Sequence, residues 1–273
     1  MSSIRKKCSL YFSGTHKASD KAMKNWGHLK LRSELERNVK PIDSSWPVVG
    51  QFSSIGSLGK SSDSWMCGEF LKSVSSCNRL SGASSNFLPK VAKLPPLKVV
   101  FPSVDNVRTS LEGYPAGASI PYSSATRAKQ PWFDNFCHQW KAEHAGRCEA
   151  APHIKSYFRM SPYDTNIRLP WFLLTSANMS KAAWGALQKK DSQLMIRSYE
   201  LGVLFIPSLS FDSAEDNKDH FFHILNSSQS NCNKFPIPFT VPLVPYNSKD
   251  VPWTWDSAHK DAPDRNGNIW VPS

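Results

Sequence analysis

Three apolar segments in the second half of the chain decide the fold: PHIKSYFRM at 152–160, WFLLTSA at 171–177 and YELGVLFIPS at 199–208. Each is a short run rich in aromatic and aliphatic residues between polar stretches, which is typical of a buried β-strand. Two earlier runs, PVVGQFS at 47–53 and LKVVFPS at 97–103, have the same character. These five runs predict a β-sheet with an apolar core.

Helical patterns alternate with these strands. The predicted helices span 26–38, 63–76 with Ser62 or Asp63 as the cap, 125–145 with an interruption near Pro131, and 180–190. A long loop is expected at 103–124 and an irregular, Pro- and Trp-rich tail at 233–273. Alternating strands and helices indicate an α/β fold whose sheet is covered by helices on both faces. Residues 1–24 are expected to be frayed or disordered, with one unit over 25–273.

Composition narrows the class of partner. The 273 residues are 40% hydrophobic, which is too high for a disordered chain. No apolar run approaches the roughly 20 residues that cross a bilayer. The net charge of +11 favours a polyanionic partner such as nucleic acid or a membrane surface. The sequence contains neither GxGxxG nor a P-loop, so nucleotide binding has no support.

The six cysteines give no sign of a metal site. None forms a CxxC pair, and none has a His at zinc-ligand spacing. No secretory signal begins the sequence, so we interpret the thiols as reduced and expect a cytosolic or nuclear protein.

The candidate chemistry lies in 152–206. His153 and Lys155 are two apart on a predicted strand and should therefore point to one face. Asn178 follows the next strand, where Asn178 or Ser180 can cap a helix whose N-terminus favours anions. A cation, a neutral amide and a group that titrates near pH 7 suit one ligand, a phosphate. Glu200 begins a third strand and could orient His153.

Each of these residues also has an ordinary structural interpretation. A lone His is more often a satisfied core or surface group, a Lys two residues on is usually solvated, and an Asn before a helix is usually a cap. Another His-x-Lys, His28-Leu29-Lys30, lies on a predicted helix, where residues i and i+2 diverge. We assign it no catalytic role.

Several segments carry a resemblance to a known family. HIKSYFR, TSANMSKAAWG and RSYELGVLF resemble the tyrosyl-DNA phosphodiesterase family of the phospholipase D superfamily, in its C-terminal half. NWGHLKL (25–31), WPVVGQFSSIGSLG (46–59), GYPAGASIPYS (113–123), PWTWD (252–256) and GNIWVPS (267–273) support it in order along about 25–273. The resemblance implies a phospholipase D-like half, with a mixed β-sheet sandwiched between helices.

The resemblance also implies an activity: hydrolysis of the phosphodiester that joins a DNA 3′ end to a tyrosine or another adduct. Two His-Lys-Asn sets act without metal or other cofactor, one His attacking phosphorus and the other protonating the leaving group and activating water. His153 corresponds to the second His, Lys155 and Asn178 to phosphate ligands, and Glu200 to the partner of His153. Ser54 and Ser57 correspond to the segment that holds the DNA backbone. The residues expected to line the substrate groove are Pro121, Ser180, Ala182 and Trp255.

The implied partner is a single-stranded or nicked DNA 3′ end that carries a topoisomerase-derived tyrosyl peptide, in the nucleus and possibly the cytoplasm, with no membrane involved. The sequence departs from the family in lacking a first His-Lys-Asn set, so we expect little or no turnover by this chain alone. Two alternatives remain: a catalytically inactive nucleic-acid-binding half-domain or fragment, and a lipid-active relative. The Asp of the lipid enzymes' HxKxxxxD signature is replaced by Met160, although Asp164 follows.

Overall fold

A seven-stranded mixed sheet forms the centre of the protein. The computed structural model describes residues 9–13, 16–78, 93–162, 166–210, 220–224 and 234–272. The sheet has the order β1-β11-β8-β6-β3-β4-β5. Its strands are β1 (Ser9–Ser13), β3 (Val48–Gln51), β4 (Leu97–Val100), β5 (Cys137–His138), β6 (Lys155–Arg159), β8 (Trp171–Thr175) and β11 (Glu200–Phe205).

The strand directions make the sheet mixed. From β1 to β3 every neighbouring pair is antiparallel, whereas β3-β4 and β4-β5 are parallel. All five apolar runs supply strands of this sheet, so the predicted α/β class with a mixed sheet is confirmed. The strands are shorter than the runs, because several apolar flanking residues pack in the core outside the strands.

Two small sheets lie beside the central one. One has the order β2-β10-β9 and contains β2 (His16–Ser19), β9 (Ala186–Gln188) and β10 (Gln193–Ile196). The other has the order β13-β12-β7 and contains β7 (Arg168–Leu169), β12 (Phe222–Ile224) and β13 (Lys234–Phe235).

The helices of the described residues are short except for the first. The α-helices are α1 (Gly27–Asn38), α2 (Leu71–Val74), α3 (Val104–Arg108), α4 (Ser124–Ala128), α5 (Lys181–Trp184) and α6 (Pro207–Ser210). The helix predicted over 26–38 is confirmed, and its Leu31 and Leu35 are completely buried, as their spacing indicated.

Aromatic packing on one face of the sheet holds α5 near β6. Tyr157 of β6 contacts Trp184 of α5, with ring centroids 5.0 Å apart, and Phe70 lies 4.9 Å from Trp184. The other face is covered by the tail: Phe158 stacks on Phe172 at 5.6 Å and on Phe239 at 5.7 Å. The C-terminal tail, although irregular, is therefore part of the core.

Two predicted helices are wrong in extent. The helix expected over 63–76 begins at Met66, as a π-helix (Met66–Phe70) that continues into α2. The helix expected over 125–145 ends at Ala128, and a 3₁₀ helix (Pro131–Phe136), β5 and a second 3₁₀ turn (Glu143–Ala145) follow. Pro131 lacks an N–H group and clashes with a preceding turn, so a continuous helix was not available.

Two further expectations differ from the structure. The stretch 103–124 contains α3, capped by Ser103, and a 3₁₀ helix (Tyr114–Ser119) rather than a continuous loop. The helix expected over 180–190 ends at Trp184, and β9 follows Gly185. Gly185 has φ +89°, which ends the helix despite the good helix formers after it.

The N-terminal segment is more regular than its sequence indicated. Within 1–24, expected to be frayed, β1 pairs with β11 and β2 pairs with β10. Residues 1–8 and 14–15 lie outside the described ones. Local periodicity could not reveal this pairing, because β1 finds its partner, β11, far along the chain.

Candidate active site

Four strand ends meet at one edge of the central sheet. Lys155 pairs with Thr175, Thr175 pairs with Gly202, and Ser156 pairs with Gln51. The beginnings of β6 and β11 therefore lie beside the ends of β8 and β3. Residues just before β6, just after β8 and just after β3 leave the sheet at this edge and are brought together.

His153 and Lys155 form the first part of the site. His153 precedes β6 rather than lying on it, and its side chain is exposed, whereas Lys155 is only 7% exposed. The Lys155 Nζ donates a hydrogen bond to the His153 carbonyl at 2.5 Å and lies 3.4 Å from both ring nitrogens. The two side chains thus lie close together, although the predicted position of His153 on the strand is wrong.

Partial burial favours the neutral form of both groups. Burial lowers the pKa of His153, and the neighbouring Lys155 ammonium lowers it further. Burial also lowers the pKa of Lys155, while the Glu200 carboxylate acts in the opposite direction. A neutral imidazole beside an ammonium can accept a proton, and it gains basicity when a phosphate brings negative charge next to it.

Asn178 is fixed with its amide nitrogen available. Its Oδ1 accepts hydrogen bonds from the backbone N–H groups of Ser53 at 3.2 Å and Ser54 at 3.0 Å. Because backbone N–H groups only donate, the oxygen must face them and the NH₂ group must face away. An isolated β-bridge between Ile55 and Met179 fastens the two segments. Asn178 can therefore present two N–H donors to an anion.

Ser54 and Ser57 differ in their surroundings. The Ser54 hydroxyl donates to the Pro121 carbonyl at 2.7 Å, which joins the segment after β3 to the exposed Pro121. Ser57 is exposed on the surface. The structure thus brings Ser54 and Pro121 to the Asn178 edge. A role for Ser57 in holding DNA stays a prediction.

Glu200 makes different contacts from the predicted ones. Its Oε2 accepts a hydrogen bond from the Ser176 hydroxyl, which itself accepts from the Leu201 N–H at 3.0 Å. The hydrogen bonds of the described residues include none between Glu200 and His153. Since its carboxylate acts on the pKa of Lys155, the structure relates Glu200 to the lysine rather than to the imidazole.

The turn after Asn178 contains two of the predicted groove residues. Ser180 caps α5 by accepting from the Ala183 N–H at 3.1 Å. The Ala182 carbonyl accepts from the N–H groups of Arg197 and Ser198 at 3.0 and 3.1 Å. Because α5 has only four residues, its dipole contributes less to anion binding than the predicted longer helix would.

Trp255 lies at the far side of the same edge. Its indole is 41% exposed, and its backbone N–H donates to the Tyr122 carbonyl at 3.2 Å, next to Pro121. The Trp255 carbonyl in turn accepts from the Trp270 Nε1 at 2.9 Å. An exposed indole on a fixed backbone suits contact with a base or a peptide.

Sequence reasoning missed two residues that organise the site. Ser53 orients Asn178 through its backbone, and Ser176 binds Glu200 through its hydroxyl. Neither carries a sequence signal, since the Ser53–Asn178 contact spans 125 positions and Ser176 resembles any serine after a strand.

The described residues contain neither a metal-binding cluster nor a membrane-spanning helix. In the described ranges no group of three His, Cys, Asp or Glu side chains is arranged to hold a metal ion. Among the same residues no helix is long and apolar enough to span a bilayer.

The His-x-Lys at 28–30 lies on a helix, as expected, and its His28 is buried and hydrogen-bonded to Ser73 at 2.8 Å. Met160 is completely buried, and Asp164 lies outside the described residues.

Known proteins are similar to this chain in sequence and in fold. A family model described as tyrosyl-DNA phosphodiesterase matches residues 1–247. The chain belongs to the tyrosyl-DNA phosphodiesterase family. It is 39% identical over 246 residues to tyrosyl-DNA phosphodiesterase 1 of Drosophila melanogaster, covering 89% of this chain and 40% of the relative. It is 36% identical to tyrosyl-DNA phosphodiesterase 1 of Arabidopsis thaliana, covering 91% of this chain and 42% of the relative.

A solved structure supports the family's fold. The yeast tyrosyl-DNA phosphodiesterase superposes with a TM-score of 0.62 at 19% identity, over 90% of this chain and 56% of that chain. The chain therefore has the fold of the matching part of the yeast tyrosyl-DNA phosphodiesterase. The chain spans roughly half or less of the length of these tyrosyl-DNA phosphodiesterases.

Proposed function

We propose that this chain supplies the leaving-group half of a phosphodiesterase that hydrolyses 3′-phosphotyrosyl and other 3′-adduct DNA ends. The single observation that carries the proposal is the meeting of His153, Lys155 and Asn178 at one sheet edge, through the pairing of Lys155 with Thr175. Family membership supports a phosphodiester substrate. The net charge of +11 suits a DNA partner whose backbone is bound without sequence readout.

Each residue has a role in the proposed reaction. Lys155 and the Asn178 amide bind the non-bridging oxygens of the phosphate and stabilise the charge that develops on them. His153 protonates the tyrosine oxygen as it leaves and then accepts a proton from the attacking water. The depressed pKa of His153 rises when the phosphate offsets the Lys155 charge, so substrate binding itself favours the protonated acid.

The attacking nucleophile belongs to another His-Lys-Asn set in this proposal. One imidazole cannot act from both sides of a phosphorus in an in-line displacement. We therefore expect the chain alone to bind 3′-adduct DNA without multiple turnovers. We also place its action in the nucleus and possibly the cytoplasm, which imaging of a tagged protein tests.

Binding measured by fluorescence anisotropy tests the proposal. The probe is a single-stranded oligonucleotide ending in 3′-phosphotyrosine, and the reference is the same strand with a 3′-hydroxyl. The native chain should bind the adduct more tightly, and Lys155→Ala and Asn178→Ala should abolish the preference. Lys40→Ala, at an exposed lysine beside Pro170 and Ile206 at the opposite end of the strands, should retain it.

Three results would contradict the proposal. If the native chain and all variants bound the 3′-phosphotyrosine and 3′-hydroxyl strands equally well, the site would not recognise the adduct. The alternative of a catalytically inactive nucleic-acid-binding half-domain would then be favoured. Multiple turnovers of the adduct by the purified chain would show that the attacking group is already present. Cleavage of phosphatidylcholine in place of DNA would favour the lipid-active alternative.

A further inference from the structure

A surface cavity with several polar side chains lies beside the candidate groove. Its volume is about 270 Å³. One side of the cavity is formed by α4 and the 3₁₀ helix that follows it, and the other side by the segment 254–257. The lining residues are Ser124, Arg127, Ala128, Pro131, Asp134, Thr254 and Ser257. None of them belongs to the His-Lys-Asn set.

Hydrogen bonds connect the cavity to the candidate site step by step. The Ser54 hydroxyl donates to the Pro121 carbonyl, and the backbone N–H of the same residue donates to Asn178. Three residues after Pro121, the Ser124 N–H and hydroxyl donate to the Asp256 carboxylate at 2.6 and 3.1 Å. Three extended residues span about 10 Å. The cavity therefore lies within reach of a peptide whose tyrosine occupies the site.

The lining is mixed, with apolar Ala128 and Pro131 beside several polar side chains and one ion pair. Arg127 and Asp134 form an ion pair at 2.6 Å, with about a third of each side chain exposed. A guanidinium has five N–H groups, and Arg127 gives one of them to Asp134. The Thr254 hydroxyl donates to the Ser257 hydroxyl at 2.7 Å, which leaves the Ser257 proton free to donate. The cavity thus offers donors and acceptors with no net charge.

We infer that this cavity binds an uncharged hydrogen-bonding side chain of the peptide next to the adduct tyrosine. The inference rests on the proposed function, because it assigns the peptide to the Pro121–Trp255 side of the site. An additional charge would be attracted to one member of the Arg127–Asp134 pair and repelled by the other. An aliphatic side chain would leave the hydroxyls and the guanidinium desolvated without partners. A carboxamide satisfies both requirements.

The experiment compares three adducts on one oligonucleotide. The 3′-phosphate carries tyrosine alone, Gln-Tyr-Gln or Met-Tyr-Met, the last two being of similar length. Because both flanking positions change together, the test does not depend on the peptide's direction. The native chain should bind Gln-Tyr-Gln about fivefold more tightly than Met-Tyr-Met, the value of roughly one net hydrogen bond.

Variants assign the preference to the cavity. Ala128→Phe fills it from the exposed surface of α4, and Ser257→Ala removes a donor without adding bulk. Both should lose the Gln preference and bind tyrosine alone as before. Ser119→Ala, an exposed serine outside the cavity whose hydroxyl bonds to its own turn, should keep it. Circular dichroism confirms that each variant is folded.

Failure of the inference can be told apart from failure of the proposed function. If the native chain binds all three adducts equally and Lys155→Ala weakens them all, the cavity inference is overturned and the proposed function stands. If Ala128→Phe keeps the Gln preference, the side chain binds elsewhere and the inference is again overturned. If no adduct binds better than the 3′-hydroxyl strand, both fail together.

Discussion

The Nζ atom of Lys155 lies 3.4 Å from each of the two ring nitrogens of His153. The ammonium is held there by a hydrogen bond to the His153 carbonyl and by its burial at the start of β6. Its charge disfavours protonation of the imidazole, which makes the proton affinity of His153 depend on whether an anion lies between or beside the two groups.

Replacement of Lys155 by Met should raise the pKa of His153 toward its ordinary value of 6.5. Only part of the depression should disappear, because burial is the larger cause. Nuclear magnetic resonance titration of the imidazole Cε1–H measures the shift, with Lys129→Met as the control. An unchanged titration in Lys155→Met would show that the ammonium does not act on this ring.

The buried His28 should make the protein less stable as the pH falls. Burial lowers the pKa of His28 from 6.5 to about 4, and the nearby charge of Arg32 contributes a smaller part of this shift. Between pH 6.5 and about pH 4, His28 is therefore protonated in the unfolded chain but stays neutral in the folded chain. The free energy of unfolding should fall by up to about 1.4 kcal/mol per pH unit from this residue.

Urea unfolding at pH 7.5 and pH 5 measures this dependence. His28→Gln removes the titrating group and should show a smaller loss at pH 5 than the native chain. His144→Gln, at an exposed histidine, should keep the native loss. Equal losses in all three proteins would assign the pH dependence to other groups.

Asn178→Asp should weaken phosphate binding while preserving the local backbone. The carboxylate still accepts from the Ser53 and Ser54 N–H groups, but it replaces two donors with a negative charge. Repulsion of the phosphate should lower the affinity for 3′-phosphotyrosyl DNA about tenfold or more. Anisotropy titration measures the effect, and Asn247→Asp on an exposed turn should change little. Retained affinity would mean that Asn178 is only a structural link.

Gly27→Ala should destabilise the contact between α1 and α5. Gly27 has φ +53°, and a Cβ atom there would lie 2.1 Å from the Trp184 carbonyl oxygen. We expect a loss of about 2–4 kcal/mol in the free energy of unfolding. Gly146 has φ +61° with open space around it, so Gly146→Ala should cost only the backbone term of about 1 kcal/mol. Equal losses in denaturant titrations would mean that α5 can shift.

An exposed apolar patch should make the chain associate. Leu174 of β8 and Leu201 of β11 are 38% and 52% exposed on one face of the sheet, and Ile154 before β6 is 40% exposed. Sedimentation should therefore show concentration-dependent association, which Leu174→Lys should reduce. Leu111→Lys, at a leucine that is 58% exposed elsewhere, serves as the control. A native chain that stays monomeric at high concentration would disprove the prediction.

Much of the sheet could be predicted from the sequence, because its central strands are continuous apolar runs. The proximity of His153 and Lys155 was predicted for a reason that the structure does not bear out, since His153 precedes β6 and the Lys155 side chain reaches back to it. The ends of the helices were harder to predict from the sequence. Lys189 and Lys190 after α5 have high helix propensity, yet both have positive φ in the turn that connects β9 to β10. The Glu200 contacts were missed because they depend on Ser176, which follows the adjacent strand β8.

The pairing of Ser9–Ser13 with β11 has a practical consequence for work on this protein. A version trimmed at Trp26, just before the first long helix, would uncover the outer backbone amides and carbonyls of residues 200–204. The unpaired backbone groups of such an edge strand can pair with strands of other molecules. Such a shortened protein should form insoluble β-rich material, and purification tags are better attached upstream of Ser9 than substituted for it.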